Sequence, residues 1–297
     1  MNKPTLWIMC GLSGSGKSTI ATQIANENPN TIIVSSDAIR EELTGNENDQ
    51  SKNEDVFKIF HKRIREYLIK EINVIADATN LTMKSRRAIL MNTLGLKVNK
   101  ICCVIVKRFE QCKIDNSNRL RVVPEGVIKK QLRSFQIPFR QEGWNKIIFY
   151  NFVNGKQKCI SEMIYEMRGF EQKNPHHTMN LYNHSMFTYS RFVKYEYSKE
   201  INLAALLHDY GKLYTQTFDE NGIAHYFEHP SVSSYYILEN LIGNYKNDTL
   251  LNMCFLANYH MMPFWWDTEK AKQRWKERFG ERKYKMLLDF NECDKAR

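Results

Sequence analysis

The chain has 297 residues, of which 42% are hydrophobic and 26% are charged, and its 43 Lys and Arg residues outnumber 33 Asp and Glu residues to give a formal net charge of +10. These proportions are typical of globular proteins and exclude a disordered or fibrous chain, and the length favours two domains. No apolar run approaches the roughly 18 residues of a membrane-spanning helix, and the first residues show no cleavable signal pattern, so we expect neither a membrane anchor nor secretion.

The basic excess favours polyanionic partners such as nucleic acids, but a basic enzyme that acts on small molecules would carry a similar charge. The seven cysteines are scattered and include no C-x-x-C pair. This spacing is typical of reduced, buried thiols rather than of a disulfide framework or a metal site. We therefore expect a cytoplasmic protein.

The first half of the chain alternates strand and helix patterns. Short apolar runs predict buried parallel strands at Leu6–Cys10, Thr31–Val34, Asn73–Ala76, Ile101–Val106 and Ile147–Tyr150. Apolar residues at helical spacing predict helices between them, most clearly over Glu54–Ile72. The alternation indicates an α/β domain with a parallel sheet and helices on both faces.

After about residue 154 the strand patterns stop. Helical patterns follow one another over residues 161–168, 184–197, 201–208, 232–241 and 249–259. The sequence therefore predicts an all-α second domain. We place the two domains at residues 1–160 and 161–297.

The run Gly11–Ser18 reads GLSGSGKS and matches the P-loop pattern G-x-x-x-x-G-K-[ST] in full. It follows a predicted strand and precedes a helical segment, which is the context that the motif requires. We expect the nucleotide phosphates to bind Ser13, Gly14, Ser15, Gly16, Lys17, Ser18 and Thr19. Lys17 would reach the β- and γ-phosphates and Ser18 would hold Mg²⁺, so the sequence predicts a site for ATP or another purine triphosphate.

Polar residues follow the next two strands. Asp37 follows the second strand, and in such sheets ligands bind beyond the carboxyl ends of the strands, so its carboxylate could accept a proton from an attacking hydroxyl. It would also serve as a helix N-cap. Asp77 ends the third strand and could hold Mg²⁺ through water, orient the acceptor or cap a helix. The basic stretch Asp115–Pro124 fits either a lid whose arginine neutralises the transferred phosphoryl group or a solvated loop.

Four segments resemble the kinase domain of the phage-type polynucleotide 5′-kinases, over roughly residues 1–155. They are the P-loop, Ser36–Arg40, Asp77–Leu81 followed by Arg86 and Arg87, and Asn116–Arg119 before Val123 and Pro124. The resemblance implies that Asp37 is the general base for a nucleic-acid 5′-hydroxyl and that Arg40 binds the phosphate next to the acceptor. It implies a lid arginine at Arg119, although Arg121 lies close enough to compete for that role. Related small-molecule kinases share this skeleton, so the acceptor stays open.

Seven of the eight histidines lie in the second half of the chain. His208 and Asp209 end a predicted apolar helix, where adjacent nitrogen and oxygen donors could share Mn²⁺, Fe, Co²⁺, Ni²⁺ or Zn²⁺. A lone His-Asp pair would more often be a surface pair or a cap, and the surrounding pattern decides between these interpretations.

That pattern resembles the HD phosphohydrolase superfamily, over roughly residues 170–297. Its parts occur in the order His184, His208-Asp209, His229, His260 and Asp294. The resemblance implies an all-helical fold and a first metal bound by His184, His208, Asp209 and Asp294. It implies that His229 and His260 complete a second metal site or contact phosphate, and that Lys212 binds a substrate phosphate. Asp289 competes with Asp294 as the last ligand, His177 is close enough in sequence to reach the site, and we expect a structural role for His225.

The whole chain resembles the fused HD-domain polynucleotide kinases of nucleic-acid end healing, with the order of the domains reversed. The resemblance implies phosphorylation of 5′-hydroxyl ends of RNA or DNA and metal-dependent removal or opening of 3′-phosphate or 2′,3′-cyclic phosphate ends. Sealing would then need a separate RNA ligase. Two alternatives stay open: a nucleotide-metabolism enzyme that joins a small-molecule kinase to a mononucleotide phosphohydrolase, and a second domain that only binds RNA ends.

Overall fold

The computed structural model describes residues 3–119, 121–175 and 178–295, which form two compact units. The first unit contains the residues up to Gln131 together with Glu142–Phe152, and the second contains Leu132–Gln141 together with the residues from Val153 onward. The predicted boundary at residue 160 therefore differs from the observed division. The second unit resumes earlier and also includes a segment, residues 132–141, that no sequence pattern indicated.

The segment 132–141 belongs to the second unit because its apolar side chains fill that unit's core. Phe135, Ile137 and Phe139 are all buried. Phe135 packs edge to face on Tyr235 with ring centroids 5.1 Å apart. The side chain of Asn258 accepts a hydrogen bond from the backbone N–H of Ile137 at 2.7 Å and donates to the backbone oxygen of Phe135 at 3.1 Å.

The first unit is built on a five-stranded parallel sheet with the strand order β2-β3-β1-β4-β5. Each of the five predicted strands is present. They are β1 Thr5–Cys10, β2 Thr31–Ser35, β3 Asn73–Asp77, β4 Asn99–Val106 and β5 Lys146–Asn151. Consecutive residues along β1, which point to opposite faces of the sheet, are buried, so both faces are covered.

The helices of the first unit are α1 Lys17–Glu27, α2 Ser36–Thr44, α3 Asn53–Ile69, α4 Met83–Met91, α5 Phe109–Ser117 and α6 Glu125–Arg133. Helix α1 packs Ile20 and Ile24 onto the sheet face that carries Trp7 and Met9. Strand β1 lies in the middle of the sheet, where the chain order reverses. A ligand of this fold is expected at the carboxyl end of β1, which is where the P-loop begins.

The helices of the second unit are α7 Ile160–Glu166, α8 Leu181–Phe192, α9 Lys199–Leu207, α10 Lys212–Thr215, α11 His229–Leu241, α12 Asn247–Tyr259, α13 Glu269–Phe279 and α14 Glu281–Asp294. One hairpin interrupts this helical unit, because β6 Thr217–Phe218 pairs antiparallel with β7 Ala224–His225. Strands of two residues are too short to show an alternating pattern, so the sequence could not indicate them.

Two further expectations concern the chain as a whole. All seven cysteines are free thiols, and six of them are buried. Throughout the described ranges, the helices are too short or too polar to traverse a bilayer.

A buried ion pair ties the strand β3 region to residue 142 within the first unit. The Arg86 guanidinium donates to the Glu142 carboxylate at 2.9 and 2.6 Å, and both side chains are fully buried. Nη1 of Arg86 also donates to the backbone oxygens of Asn80 and Leu81, at 3.2 and 3.0 Å. The segment that follows β3 therefore depends on this arginine.

We expect Glu142→Gln to lower the free energy of unfolding by about 3–5 kcal/mol, because it leaves the buried Arg86 charge without its counterion. Glu42→Gln is the matched control, since Glu42 pairs with Arg63 at the surface and such pairs contribute at most about 1 kcal/mol. Urea denaturation followed by circular dichroism measures both variants. Equal unfolding midpoints for Glu142→Gln and the control would contradict the structural role of this pair.

Candidate active sites

The P-loop joins β1 to α1, and two of its glycines are required by the backbone. Gly14 and Gly16 have φ angles of 80° and 96°, which side chains other than glycine rarely adopt. A Cβ atom at Gly14 would also lie 2.1 Å from the backbone oxygen of Cys112. Gly16 precedes α1 without a side-chain cap, so the first N–H groups of that helix can bind an anion.

The lysine and the first serine of the loop are held in place by their neighbours. Lys17 donates to the backbone oxygen of Leu12 at 2.8 Å. Burial lowers the pKa of Lys17, and the Asp77 carboxylate partly offsets that effect. On α6, Gln131 accepts from the backbone N–H of Ser13 at 2.8 Å and donates to the Ser13 hydroxyl at 3.0 Å. No motif signalled Gln131, because its contact spans more than a hundred residues of sequence.

Ser18 and Asp77 offer oxygen ligands side by side. The Ser18 hydroxyl donates to Asp77 Oδ2 at 3.0 Å. Burial raises the pKa of Asp77, while the positive charge of Lys17 acts in the opposite direction. A hydroxyl and a carboxylate beside a phosphate-binding loop are the donors that Mg²⁺ prefers, so these residues fit that ion.

Asp37 lies in the first turn of α2 and its carboxylate is 44% exposed. The N-cap of α2 is Ser35, whose hydroxyl accepts from the backbone N–H of Ala38, so the capping role considered for Asp37 is already filled. Asp37 forms ion pairs with Arg40, at 2.7 Å, and with Arg121. Its carboxylate is therefore held between two guanidinium groups.

Three arginines differ in how they are engaged. Arg40 is buried and donates to Asn53 at 3.0 Å, and its Nε has no hydrogen-bond partner among the described residues. Arg121 pairs with Asp37 and donates to Asn48 at 3.2 Å. Arg119 makes no ion pair with the described acidic residues, and its charge lowers the pKa of both Lys17 and Asp77, although burial is the larger influence on each.

One cavity of about 640 Å³ unites these side chains. Its lining includes Ser13, Lys17, Ser18, Asp37, Arg40, Asp77, Arg119 and Arg121. The loop over it is closed by Asn116, whose amide donates to the backbone oxygen of Val123 at 2.8 Å and accepts from the Val123 N–H at 3.1 Å. The structure thus brings together the residues that the sequence suggested for phosphoryl transfer.

A cluster of histidines and aspartates forms the second candidate site, within the second unit. Its members lie at or near the ends of different helices, apart from the more central His184 of α8. They are His184, His208 and Asp209 after α9, His229 at the start of α11, His260 after α12, and Asp294 at the end of α14. All of these side chains are at most 10% exposed.

The ligand atoms of this cluster face one another at short range. His184 Nε2 and His208 Nε2 lie 3.0 and 3.2 Å from Asp294 Oδ1. His229 Nε2 and His260 Nε2 lie 3.0 and 3.4 Å from Asp209 Oδ1. Two subsets, His184-His208-Asp294 and His208-Asp209-His260, have one ligand atom per residue within 4.8 Å of one another.

Backbone carbonyl groups fix the orientation of three of the rings. The Nδ1 atoms of His208, His229 and His260 each donate to a backbone oxygen at 2.8 Å. The proton on Nδ1 leaves the Nε2 lone pair of a neutral ring directed into the cluster. Metal-binding histidines are commonly oriented in this way.

This arrangement fits a bound cation. The Nε2 atoms of His229 and His260 lie only 3.3 Å apart, and two lone pairs at that distance repel unless a positive charge lies between them. Among the described residues, the buried atoms His208 Nε2 and Asp294 Oδ1 find no hydrogen-bond partner. Burial opposes the charged form of His208, yet the Asp209 and Asp294 carboxylates outweigh it and raise its pKa to about 10. Imidazole and carboxylate donors suit a divalent transition metal.

Lys212 lies at the edge of the cluster and is buried. Its ammonium group is 2.7 Å from Asp209 Oδ2 and donates to Gln172 at 2.8 Å. It also lies 5.3 Å from the centre of the Tyr226 ring. Gln172 was not indicated by the sequence, because a lone glutamine in a loop carries no motif.

Two other residues considered from the sequence lie elsewhere. Asp289 accepts from Tyr197 and pairs with Lys285, both at 2.6 Å, so it is engaged apart from the cluster. His225 pairs with Asp219 at 3.1 Å on the surface. His177 lies outside the described residues.

Comparisons with known proteins support the P-loop assignment. Residues 6–138 match the model of a family described as an AAA domain, and the first unit is a parallel-sheet α/β domain that carries the P-loop. No curated protein matches the chain. The match to the family ends before the histidine cluster, which rests on its own geometry.

The matching solved structures are remote. A chain of a Pnkp1/Rnl/Hen1 RNA repair complex is 24% identical with a TM-score of 0.41, over 44% of this chain and 43% of that one. A gluconokinase from Sinorhizobium meliloti 1021 is 19% identical with a TM-score of 0.35, over 50% of this chain and 83% of that one. A fungal RNA kinase is 11% identical with a TM-score of 0.37, over 87% and 98%. The chain thus spans less than half the length of the RNA repair protein.

We expect the metal-depleted protein to bind Mn²⁺ or Co²⁺ and to unfold at a higher temperature when the metal is added. At a metal concentration a hundred times its Kd, binding raises the free energy of unfolding by about 2.7 kcal/mol. His208→Ala and Asp294→Asn would lose this stabilisation because each removes a ligand. His225→Ala is the control, since His225 lies outside the cluster. Equal metal content in His208→Ala and wild type, measured by mass spectrometry of the metal, would contradict the site.

Proposed function

We propose that this chain is a bifunctional end-healing enzyme for nucleic acids. The first unit phosphorylates the 5′-hydroxyl end of an RNA or DNA strand with ATP and Mg²⁺. The second unit is a metal-dependent phosphohydrolase of the HD type, which removes a 3′-phosphate or opens a 2′,3′-cyclic phosphate. A separate RNA ligase would then seal the repaired ends.

The shared cavity of Asp37 and the P-loop carries the kinase proposal. In the reaction, Asp37 accepts the proton of the 5′-hydroxyl, the hydroxyl oxygen forms a bond to the γ-phosphorus, and the bond to the β,γ-bridging oxygen breaks to release ADP. Lys17 contacts the β- and γ-phosphates that carry the negative charge. Mg²⁺, held by Ser18 and Asp77, would neutralise further phosphate charge when bound.

The arginines of the cavity divide the remaining work. Arg40 has a buried guanidinium with an Nε that lacks a partner in the described structure, so it is suited to bind the phosphate next to the acceptor nucleotide. Arg121 is engaged with the general base, Asp37. We therefore assign to Arg119 the role of neutralising charge on the transferred phosphoryl group, in agreement with its influence on Lys17 and Asp77.

The histidine cluster carries the phosphohydrolase proposal. The ligands of a first metal are His184, His208, Asp209 and Asp294, while His229 and His260 complete the second part of the cluster. A bound divalent metal would supply hydroxide near neutral pH and polarise a phosphoryl oxygen. Lys212 is placed to bind an oxygen of the substrate phosphate, because its ammonium group lies against Asp209.

The pairing of the two activities points to the ends of a broken strand. A kinase and a phosphatase that act on one position would undo each other. Cleavage that leaves a 5′-hydroxyl on one side and a 3′- or cyclic phosphate on the other gives each activity its own end. The net charge of +10 suits such a polyanionic substrate.

We expect Asp37→Asn to lower the rate of phosphate transfer to a 5′-hydroxyl oligonucleotide by about 10²–10⁴-fold, because it removes the proton acceptor. ATP binding should persist, since Asp37 lies on the acceptor side of the cavity. Transfer from γ-labelled ATP measures the rate, and the ATP-induced shift in Tm measures binding. Asp55→Asn is the control, as Asp55 lies at the surface of α3 beside Lys58.

Two results would count against the kinase proposal. If Asp37→Asn and wild type label the oligonucleotide equally, Asp37 is not the base. If wild type phosphorylates nucleosides or small alcohols but leaves oligonucleotides unlabelled, the chain is a nucleotide-metabolism enzyme instead.

A further inference from the structure

An aromatic pair with an exposed ring lies just before His229 of the histidine cluster in the chain. Phe227 is 68% exposed and occupies the turn between β7 and α11. Its ring stacks on His225, with centroids 5.4 Å apart and planes within 4° of parallel. One face of an apolar ring is thus supported by the protein while most of the side chain remains open to solvent.

The position of Phe227 relative to the cluster is fixed by the chain. Phe227 lies two positions before His229, so their Cα atoms are at most about 7 Å apart. Glu228, between them, has a φ of 65°, a conformation that reverses the chain. The N–H of His229 donates to the backbone oxygen of Tyr226 at 3.2 Å, so the exposed Phe227 and the buried His229 belong to one tight turn.

Hydrogen bonds connect the turn that carries Phe227 to His229 and Lys212. The backbone oxygen of Tyr226 accepts from His229 Nδ1 at 2.8 Å, and the Tyr226 hydroxyl donates to the backbone oxygen of Gln172 at 2.5 Å. The Gln172 side chain in turn accepts from Lys212. Tyr226 and Gln172, which contact His229 and Lys212 of the site, therefore also anchor the turn that carries Phe227.

A second aromatic ring lies on the β6–β7 hairpin, and a positively charged residue, Lys173, is hydrogen-bonded to that hairpin. The backbone oxygen of Lys173 accepts from the N–H of Ala224 in β7, at 2.9 Å. Its ammonium group lies 5.8 Å from the centre of the Phe218 ring, which is 53% exposed. Lys173 has no ion pair with an acidic side chain in the described part of the chain. An exposed aromatic surface with an available lysine matches the bases and phosphates of a nucleic acid strand.

We propose that Phe227, supported by His225, stacks on a base near the 3′ end of a single-stranded polynucleotide and holds that end at the histidine cluster. Lys173 contributes attraction for the phosphate backbone. This inference rests on the proposed phosphohydrolase and adds its substrate class: the second unit selects an oligonucleotide over a small phosphate ester. Stacking accepts any base, so the preference is independent of sequence.

Trp265 provides the matched control. It is the same kind of feature, a large aromatic side chain that is 70% exposed in the second unit. It ends the short 3-10 helix Met262–Trp265, five positions beyond His260 in the chain. If exposure of an aromatic ring alone caused binding of nucleic acid, removal of Trp265 and removal of Phe227 would weaken that binding equally.

The test compares Phe227→Ala, Phe227→Trp and Trp265→Ala in the full chain. Two substrates are used with Mn²⁺: a 5′-phosphorylated RNA oligonucleotide that ends in a 3′-phosphate or 2′,3′-cyclic phosphate, and p-nitrophenyl phosphate or its bis ester. Loss of one stacked base weakens binding by about 5- to 150-fold. We expect Phe227→Ala to raise KM for the oligonucleotide within that range and to leave hydrolysis of the nitrophenyl ester unchanged. Phe227→Trp and Trp265→Ala should behave as wild type.

Binding is measured separately by fluorescence anisotropy with an RNA of the same sequence that ends in a 3′-hydroxyl, which offers no phosphate to hydrolyse. Phe227→Ala should weaken this binding while the Tm stays constant. Unchanged binding would overturn the inference, as would equal losses on both substrates, which would make Phe227 a support of the cluster. Absence of hydrolysis by wild type on either substrate would instead defeat the proposed phosphohydrolase, and the anisotropy result would still decide the role of Phe227.

Discussion

The Asp209 carboxylate is the point on which the second unit depends. It is almost completely buried, and an uncompensated carboxylate there would be strongly unfavourable. His229 and His260 face one of its oxygens, and Lys212 faces the other. Burial would raise the pKa of Asp209, but the charges of His208, Lys212 and His229 hold it well below its usual value. The position of Asp209 therefore constrains the helices that supply these groups.

The first unit buries positive rather than negative charge, and a nearby carboxylate balances each buried cation. Lys17 follows a loop whose backbone is shaped by glycine, and its charge is balanced by Asp77. Arg86 is balanced by Glu142 deeper in the unit. Nucleotide phosphates can replace Asp77 as the partner of Lys17, whereas the ion pair of Arg86 and Glu142 holds the segment after β3 in place. The Arg86–Glu142 pair therefore serves stability, whereas the catalytic role of Lys17 remains a prediction.

The features that could be predicted from the sequence are those that depend on residues close together in the chain. The five strands follow from continuous apolar runs, and the P-loop follows from a spacing that only a phosphate-binding turn requires. The ordered series from His184 to Asp294 identified six side chains that do lie together, although their roles remain predictions. Spacing could identify them because most of them lie at or near a helix end with recognisable neighbours.

Features that depend on distant contacts were beyond sequence reasoning. Gln131 forms two hydrogen bonds with Ser13 of the P-loop, and Gln172 accepts one from Lys212. A glutamine at the surface looks the same in sequence. Residues 132–141 leave the first unit because Phe135 and Phe139 find their packing partners far along the chain. The choice between Arg119 and Arg121 depended on which guanidinium meets Asp37, which spacing cannot reveal.

The central claim is that two independent sites act on the two different ends of one broken strand. The most direct measurement uses a single RNA with a 5′-hydroxyl and a 2′,3′-cyclic phosphate, incubated with ATP, Mg²⁺ and added Mn²⁺, Co²⁺ or Ni²⁺, and determines both ends by mass spectrometry. Wild type should process both ends, Lys17→Ala only the 3′ end, and Asp209→Ala only the 5′ end. An unchanged RNA with wild type under every metal, or the loss of both activities in either variant, would contradict the account.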